Sequence, residues 1–314
     1  MLKKKAFRKI IVTTSSLLIL LMVYMIPTTN QTEEIKTTSL EIEYITGLGN
    51  NNIYLFNDNN FLVKHAIILD GTSLKNKIKN ILNELTICDC NYLPDGLYSA
   101  IPKDTKINNI EINKDIAIID FSKEILNQNK YLTDKMIESI VYSVTDLEEI
   151  KKVIIKIEGK QLDNINDVDI SGELSRNIGI NKTYEVRSRD NIDNIVIYYI
   201  DEIDNNSYYV PVTKYLNLTK EKVEVIIESL ANEYIYESNL ISKVNQNTKL
   251  LNHSLEGYTM ILNFNDSILN KAKTIDNDVI NTICFSIFDN YDINEIIFKV
   301  NDKEILKKSI KDIE

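Results

Sequence analysis

Apolar residues along the chain fall into alternating helical and strand-like spacings. Ile53, Tyr54, Leu55 and Phe56 form a short strand-like run. Leu74, Ile78, Ile81, Leu82 and Leu85 then recur at the spacing of one helix face, with Thr72 or Ser73 placed to cap it. A loop through Pro94, Gly96 and Pro102 follows. Ile110 and Ile112, then Ile116, Ile118 and Ile119, flank Asn113-Lys114-Asp115, the pattern of two strands joined by a tight turn. Met136, Ile137, Ile140, Val141 and Val144 predict a second helix, capped by Thr133 or Asp134. Residues 153–157 close the series as a strand that ends at Gly159. The predicted order β-α-β-β-α-β suits an α+β fold, a small sheet with helices on one face.

The series occurs twice. A shift of 143 residues aligns 97–160 with 240–303 without a gap, and 19 of the 64 pairs are identical. Among them are Thr105/Thr248, Phe121/Phe264, Leu126/Leu269, Ser143/Ser286, Asp146/Asp289 and Ile154/Ile297. Upstream, Ile78, Ile81, Leu82 and Leu85 pair with Val223, Ile226, Ile227 and Leu230, and Glu256-Gly257 takes the turn position in the second copy. A duplication explains this self-similarity. The predicted units span 44–162 and 192–308, separated by a polar stretch, 163–191, that is either a linker or an ordered insertion.

Charge divides the chain differently. Lys3, Lys4, Lys5, Arg8 and Lys9 precede an uncharged apolar run over 10–26, and the first acid is Glu33. The chain carries −10 overall; without these five cations the remaining 31 Lys and Arg face 46 Asp and Glu, a net −15. A run of 17 residues is near the minimum for a hydrocarbon core of about 30 Å. Cations before it and acids beyond it predict a basic cytoplasmic tail over 1–9, an uncleaved transmembrane anchor over 10–26, a spacer over 27–43, and the bulk of the chain outside the cell membrane. A cleaved signal peptide is the alternative, but Tyr24-Met25-Ile26-Pro27-Thr28 lacks the small residues of a cleavage site. The acidic remainder argues against nucleic acid as a partner.

The sequence 97–102 (Leu-Tyr-Ser-Ala-Ile-Pro), the strand into Asp120-Phe121-Ser122, and 140–145 (Ile-Val-Tyr-Ser-Val-Thr) before 153–159 resemble the GerMN (Germane) domain family. Members of that family occur in tandem in sporulation and spore-germination proteins. Copy two departs from the pattern where Val244-Asn245 replaces Ile101-Pro102 and Asp302 replaces Gly159. The resemblance implies a fold like the ring-building modules of envelope-spanning channels. It also implies a non-catalytic extracytoplasmic role as an assembly or scaffold factor, with sporulation or envelope proteins as partners. A cell-wall (peptidoglycan) binding or remodelling module is the alternative, disfavoured by the absence of Trp.

Catalytic chemistry finds little support. The G-x-S-x-G, P-loop and H-E-x-x-H patterns are absent, and Gly47-Leu48-Gly49 lacks the third glycine of a dinucleotide loop. Two His and three Cys leave no expected metal site, and no cofactor is expected. Cys88 and Cys90 read as incidental thiols, Cys284 as a core residue matching Val141, and His65 and His253, which each lack a partner carboxylate at a diagnostic spacing, as satisfied or exposed histidines. Asp120 is placed like a sugar hydrolase's acid at a strand end, but the second copy has Asn263 there and no partner acid is apparent. Tyr198, Tyr199, Tyr208, Tyr209 and Tyr215 make a Tyr-rich stretch suited to an interface or to glycan stacking, although Tyr also favours strands.

Overall fold

The structure, a computed structural model, describes residues 13–18, 22, 51–69, 73–89, 93–203, 206–232 and 240–312. Of the predicted anchor it describes only 13–18 and 22, which are helical and exposed; the rest of the anchor, the basic tail and the spacer lie outside the described residues. No helix among the described residues is long and apolar enough to cross a membrane. Residues 49–314 fold as one compact unit that contains both copies.

In the first copy, β1 (Asn51–Asn57) and β2 (Leu62–Ile67) form an antiparallel hairpin. Its turn is held by Asn57 Oδ1, which accepts from the N–H groups of Asn59 and Phe61, with Asn60 in the left-handed region. Helix α1 (Leu74–Glu84) starts at Ser73, whose hydroxyl accepts from Asn76 N–H, and buries Ile78, Ile81 and Leu82. Strand β3 (Leu97–Tyr98) returns to pair with β1. The hairpin of β4 (Ile107–Asn113) and β5 (Ile116–Phe121) turns at Lys114, also at positive φ. Helix α2 (Thr133–Val144) then crosses over to β6 (Lys152–Ile157), which runs parallel to β5.

The insertion between the copies is ordered. It contains a small hairpin of β7 (Asn164–Ile165) and β8 (Val168–Asp169), a 3-10 turn at Arg176–Ile178, and strand β9 (Thr183–Glu185). The second copy repeats the plan: β10 (Ile192–Ile203), β11 (Asn206–Asn217), α3 (Lys222–Asn232), β12 (Leu250–Glu256), β13 (Thr259–Phe264), α4 (Asn277–Asn290) and β14 (Glu295–Val300). It then adds β15 (Lys303–Ser309). The two copies are therefore α+β, as predicted, but each opens with a hairpin rather than a single strand. The additional strand was hidden because Lys64 and His65 break the apolar run of β2.

That additional strand joins the copies. The sheet order β10-β11-β2-β1-β3 carries one sheet across both, with β2 antiparallel to β11 and β9 parallel on β11. Separate sheets β4-β5-β6 and β12-β13-β14-β15 complete each copy. Helices α2 and α4 press closely on β1 and β10 because serines face them. Ser143 Oγ accepts from Tyr54 N–H at 2.9 Å, Ser139 Oγ donates to Tyr54 O at 2.6 Å, and Ser286 Oγ accepts from Tyr198 N–H at 2.9 Å. Cys284 is fully buried, as is its counterpart Val141, and burial pushes its thiol pKa far up.

Candidate functional site

Where the two copies meet, the shared sheet and the insertion enclose a half-open cleft of about 690 Å³. Arg176 occupies it. Ile178 and Ile180 of the same segment pack into the interior beside Tyr54 and Tyr142, which fixes the 3-10 turn that presents Arg176. Its Nη2 donates to Asp146 Oδ1 at 3.1 Å, and its Nη1 donates to Asp289 Oδ1 at 3.3 Å. Those aspartates are the matched pair of the duplication, so a single guanidinium holds the same residue from both copies. Nε donates to Thr145 Oγ1 at 3.2 Å, and the guanidinium lies 5.0 Å from the Tyr142 ring centre. Tyr142 Oη in turn donates to Arg176 O at 2.9 Å.

The aspartates are also tied to their own copies. Asp146 Oδ2 accepts from the backbone and side-chain N–H groups of Asn52, and Asp289 Oδ2 accepts from Tyr198 Oη at 2.6 Å. Burial raises the Tyr54, Tyr142 and Tyr198 pKa values, keeping their phenols neutral. Burial opposes the charge of Arg176, but the Asp289 and Asp146 carboxylates outweigh it and hold the guanidinium protonated. Lys64 closes the cleft from β2, with its ammonium 3.7 Å from the centre of the Phe285 ring. Burial lowers its pKa, while Asp146 and Asp289 pull the other way.

A second junction joins β2 to β11. Buried Asn181, at positive φ, donates from Nδ2 to both Leu62 O and Pro211 O at 2.8 Å and accepts Leu62 N–H on Oδ1 at 2.9 Å. Its own N–H goes to Glu138 Oε2 at 2.9 Å. Glu138, almost fully buried on α2, is paired with Lys182 at 2.9 Å. Burial raises the Glu138 carboxyl pKa, against the pull of Lys182.

The Tyr-rich stretch is placed differently from the interface reading. Tyr198 and Tyr199 are buried. Tyr208 faces His65 across the junction, Tyr209 bonds Asp278 and packs on Phe285, and Tyr215 stacks on Tyr184 with ring centres 5.1 Å apart. These tyrosines are mostly packing within and between the copies, because β10 and β11 are covered by α4 and by the insertion. Asp120 is a turn cap: its Oδ1 accepts from Gly159 N–H at 2.8 Å, the role that Asn263 plays for Asp302 N–H at 2.9 Å. His253 does have a carboxylate, Glu221 Oε2 at 2.8 Å, brought from 32 residues away. Cys88 is disulfide-bonded rather than an incidental thiol. The Gly47-Leu48-Gly49 turn and Cys90 lie outside the described residues. Among the described residues no group of three or more His, Cys, Asp or Glu could hold a metal ion.

Sequence patterning missed Arg176 and Lys64. Arg176 sits in the aperiodic insertion, where its one signal is rarity, since the chain has only four arginines. Lys64 looks like an ordinary surface lysine until β2 is paired on both sides.

Comparison with known proteins agrees with the duplicated architecture. Residues 52–163 and 196–306 each match the Germane family, described as sporulation and spore germination. The chain is 28% identical over 288 residues to the spore germination protein GerM of Bacillus subtilis (strain 168), covering 88% of this chain and 78% of that protein. The solved tandem GerMN domains of the sporulation protein GerM from Bacillus subtilis align with a TM-score of 0.74 at 28% identity, covering 81% of this chain and 91% of that one. The first GerMN domain of the same protein, solved alone, covers 41% of this chain and 98% of its own at 29% identity, with a TM-score of 0.37.

Proposed function

From the membership of this chain in the Germane family of sporulation and spore germination, shown by matches over both copies, we infer a non-catalytic scaffold that docks envelope proteins during sporulation or germination. The observation that carries this reading is the division of labour between the strands. The inner strands β2 and β11 are consumed in joining the copies, whereas β4 and β12 each form one outer edge of their sheets, opposite β6 and β15, among the described residues. Apolar side chains stand exposed along or beside them: Ile112 on β4, and Leu251, Leu255 and Tyr258 around β12. An outer strand offers unpaired backbone groups to an incoming strand, and flanking apolar side chains supply specificity. Anchoring through 10–26, with the acidic bulk outside the cell membrane, would hold these edges at the membrane surface.

Site-specific photo-crosslinking at Ile112 and Leu255 of the full chain in sporulating cells tests the reading. Discrete adducts with envelope proteins are expected at these positions and not at Tyr131, an exposed residue away from the outer strands. Adducts to glycan alone, together with retention on insoluble peptidoglycan, would favour the cell-wall reading instead.

A further inference from the structure

The end of the insertion and the start of β10 carry a patch that belongs neither to the cleft nor to the outer strands of the two smaller sheets. Tyr184 on β9, Val186 just beyond it and Ile192 at the start of β10 are 70%, 40% and 48% exposed. Strand register gathers them. Tyr184 pairs with Tyr215 on β11, and Ile192 pairs with Asn217, two positions further along the same strand. Residues two apart on a strand share a face, so the Tyr184–Tyr215 stack and Ile192 lie on one side of the sheet.

Between Val186 and Ile192 the chain forms a loop that is held in shape. Asn217 Oδ1 accepts from the N–H groups of Arg187 and Ser188 at 2.7 and 3.1 Å, and its Nδ2 donates to Ser188 O and Asp190 O at 3.1 and 2.5 Å. Asn191, at positive φ, turns the chain into β10, and its carbonyl accepts from Leu218 N–H. The loop presents Arg187 and Arg189, both exposed, in a chain with only four arginines. Neither guanidinium has a carboxylate within 4.0 Å among the described residues. The acids nearby are mostly taken. Glu185 pairs with Lys214 and Asp193 with Lys222, which leaves Asp190 against two arginines, in a chain that carries −10 overall.

We propose that this patch docks a protein segment bearing closely spaced Asp or Glu side chains beside a large apolar residue. Each arginine offers a planar fork that matches a carboxylate with two parallel hydrogen bonds. Tyr184 and Ile192 give the apolar residue a surface to cover, which a phosphate polymer does not exploit. Tyr and Arg are enriched among the residues that carry interface energy, and a loop fixed in advance loses little freedom on binding. The patch is separate from β4 and β12, so its test is independent of docking at those edges.

Panning a random dodecapeptide display library on the full chain tests the proposal, with the Arg187→Gln/Arg189→Gln double variant as counter-selector. Peptides held by the unaltered chain and not by the variant are expected to combine several Asp or Glu with a large apolar residue. In fluorescence anisotropy the best of them should bind the double variant about tenfold or more weakly. Arg187→Lys/Arg189→Lys should weaken it about threefold or more, because the charge stays while the fork is lost. Tyr184→Ala should weaken it about fivefold. These positions are exposed, so the melting temperature of each variant should match that of the unaltered chain. The proposal is overturned if no peptide separates the chain from the double variant, or if the separating peptides carry no excess of acids. It is equally overturned if the lysine variant or Tyr184→Ala binds as tightly as the unaltered chain. Polyphosphate binding as tightly as the selected peptide would also overturn it, and would mark the loop as a site for anionic polymers.

Discussion

Asn181 completes a ladder that Pro211 interrupts. Proline has no N–H to offer across the β2–β11 seam, and the Asn181 side chain supplies both a donor and an acceptor there. Asn181→Ala leaves the buried Leu62 N–H and the Leu62 and Pro211 carbonyls without this partner. It should cost roughly 3 kcal/mol, read by urea denaturation at equilibrium. Asp120 carries the contrary lesson. Because Asn263 performs the same capping with an amide, Asp120→Asn should stay within about 0.5 kcal/mol of the unaltered chain in the same assay. A carboxylate at a strand end suggested an acid catalyst, and a loss above that level would reopen the question. Cys284 tests the core directly. Cys284→Val should shift stability by less than about 1.5 kcal/mol, whereas Cys284→Asp places a charge in the same buried position and should cost about 3 kcal/mol or more.

At the scale of elements, the close seating of each second helix on its copy's first strand depends on serine. Ser286 Oγ accepts Tyr198 N–H and donates to Thr282 O at 2.6 Å, so the backbone of β10 is satisfied by a side chain where no strand lies beside it. Ser286→Val should cost about 2 kcal/mol, by leaving that buried N–H unmatched, as a thermal melt of the variant would show. Helical and hairpin patterns were legible in the sequence because each rests on local periodicity: α1, α2, the Lys114 turn and the Gly257 turn all stand where the apolar spacing puts them. Strand β2 was not legible. Its alternation is broken by Lys64 and His65, two polar residues that are tolerated because Phe285 and Tyr208, from the other copy, cover them. The insertion was equally opaque, since buried Ile165, Ile170 and Ile180 are too sparse for any period. The cleft could not be found from sequence for the same reason. Its members come from β1, β2, β10, α4, the loop after α2 and the insertion, and only the pairing of Asp146 with Asp289 left a trace.

For the whole molecule, one sheet shared by both copies predicts one unfolding event. Residues 49–314 should melt in a single two-state transition, with calorimetric and van't Hoff enthalpies in agreement. Arg176→Ala strands two partly buried aspartates at the junction and should lower stability by about 3 kcal/mol. Two resolved transitions in the unaltered chain would mean that the seam contributes little. The strand order β10-β11-β2-β1 is a palindrome, and a palindrome has one middle. Duplicated positions come with a spare: Asn263 stands in for Asp120, and Asp302 holds the turn where the first copy uses Gly159. The middle has no spare. In evolutionary time the two copies are free to drift apart around equivalent solutions, while Arg176 answers to both halves at once, so a single nucleotide change there is felt twice.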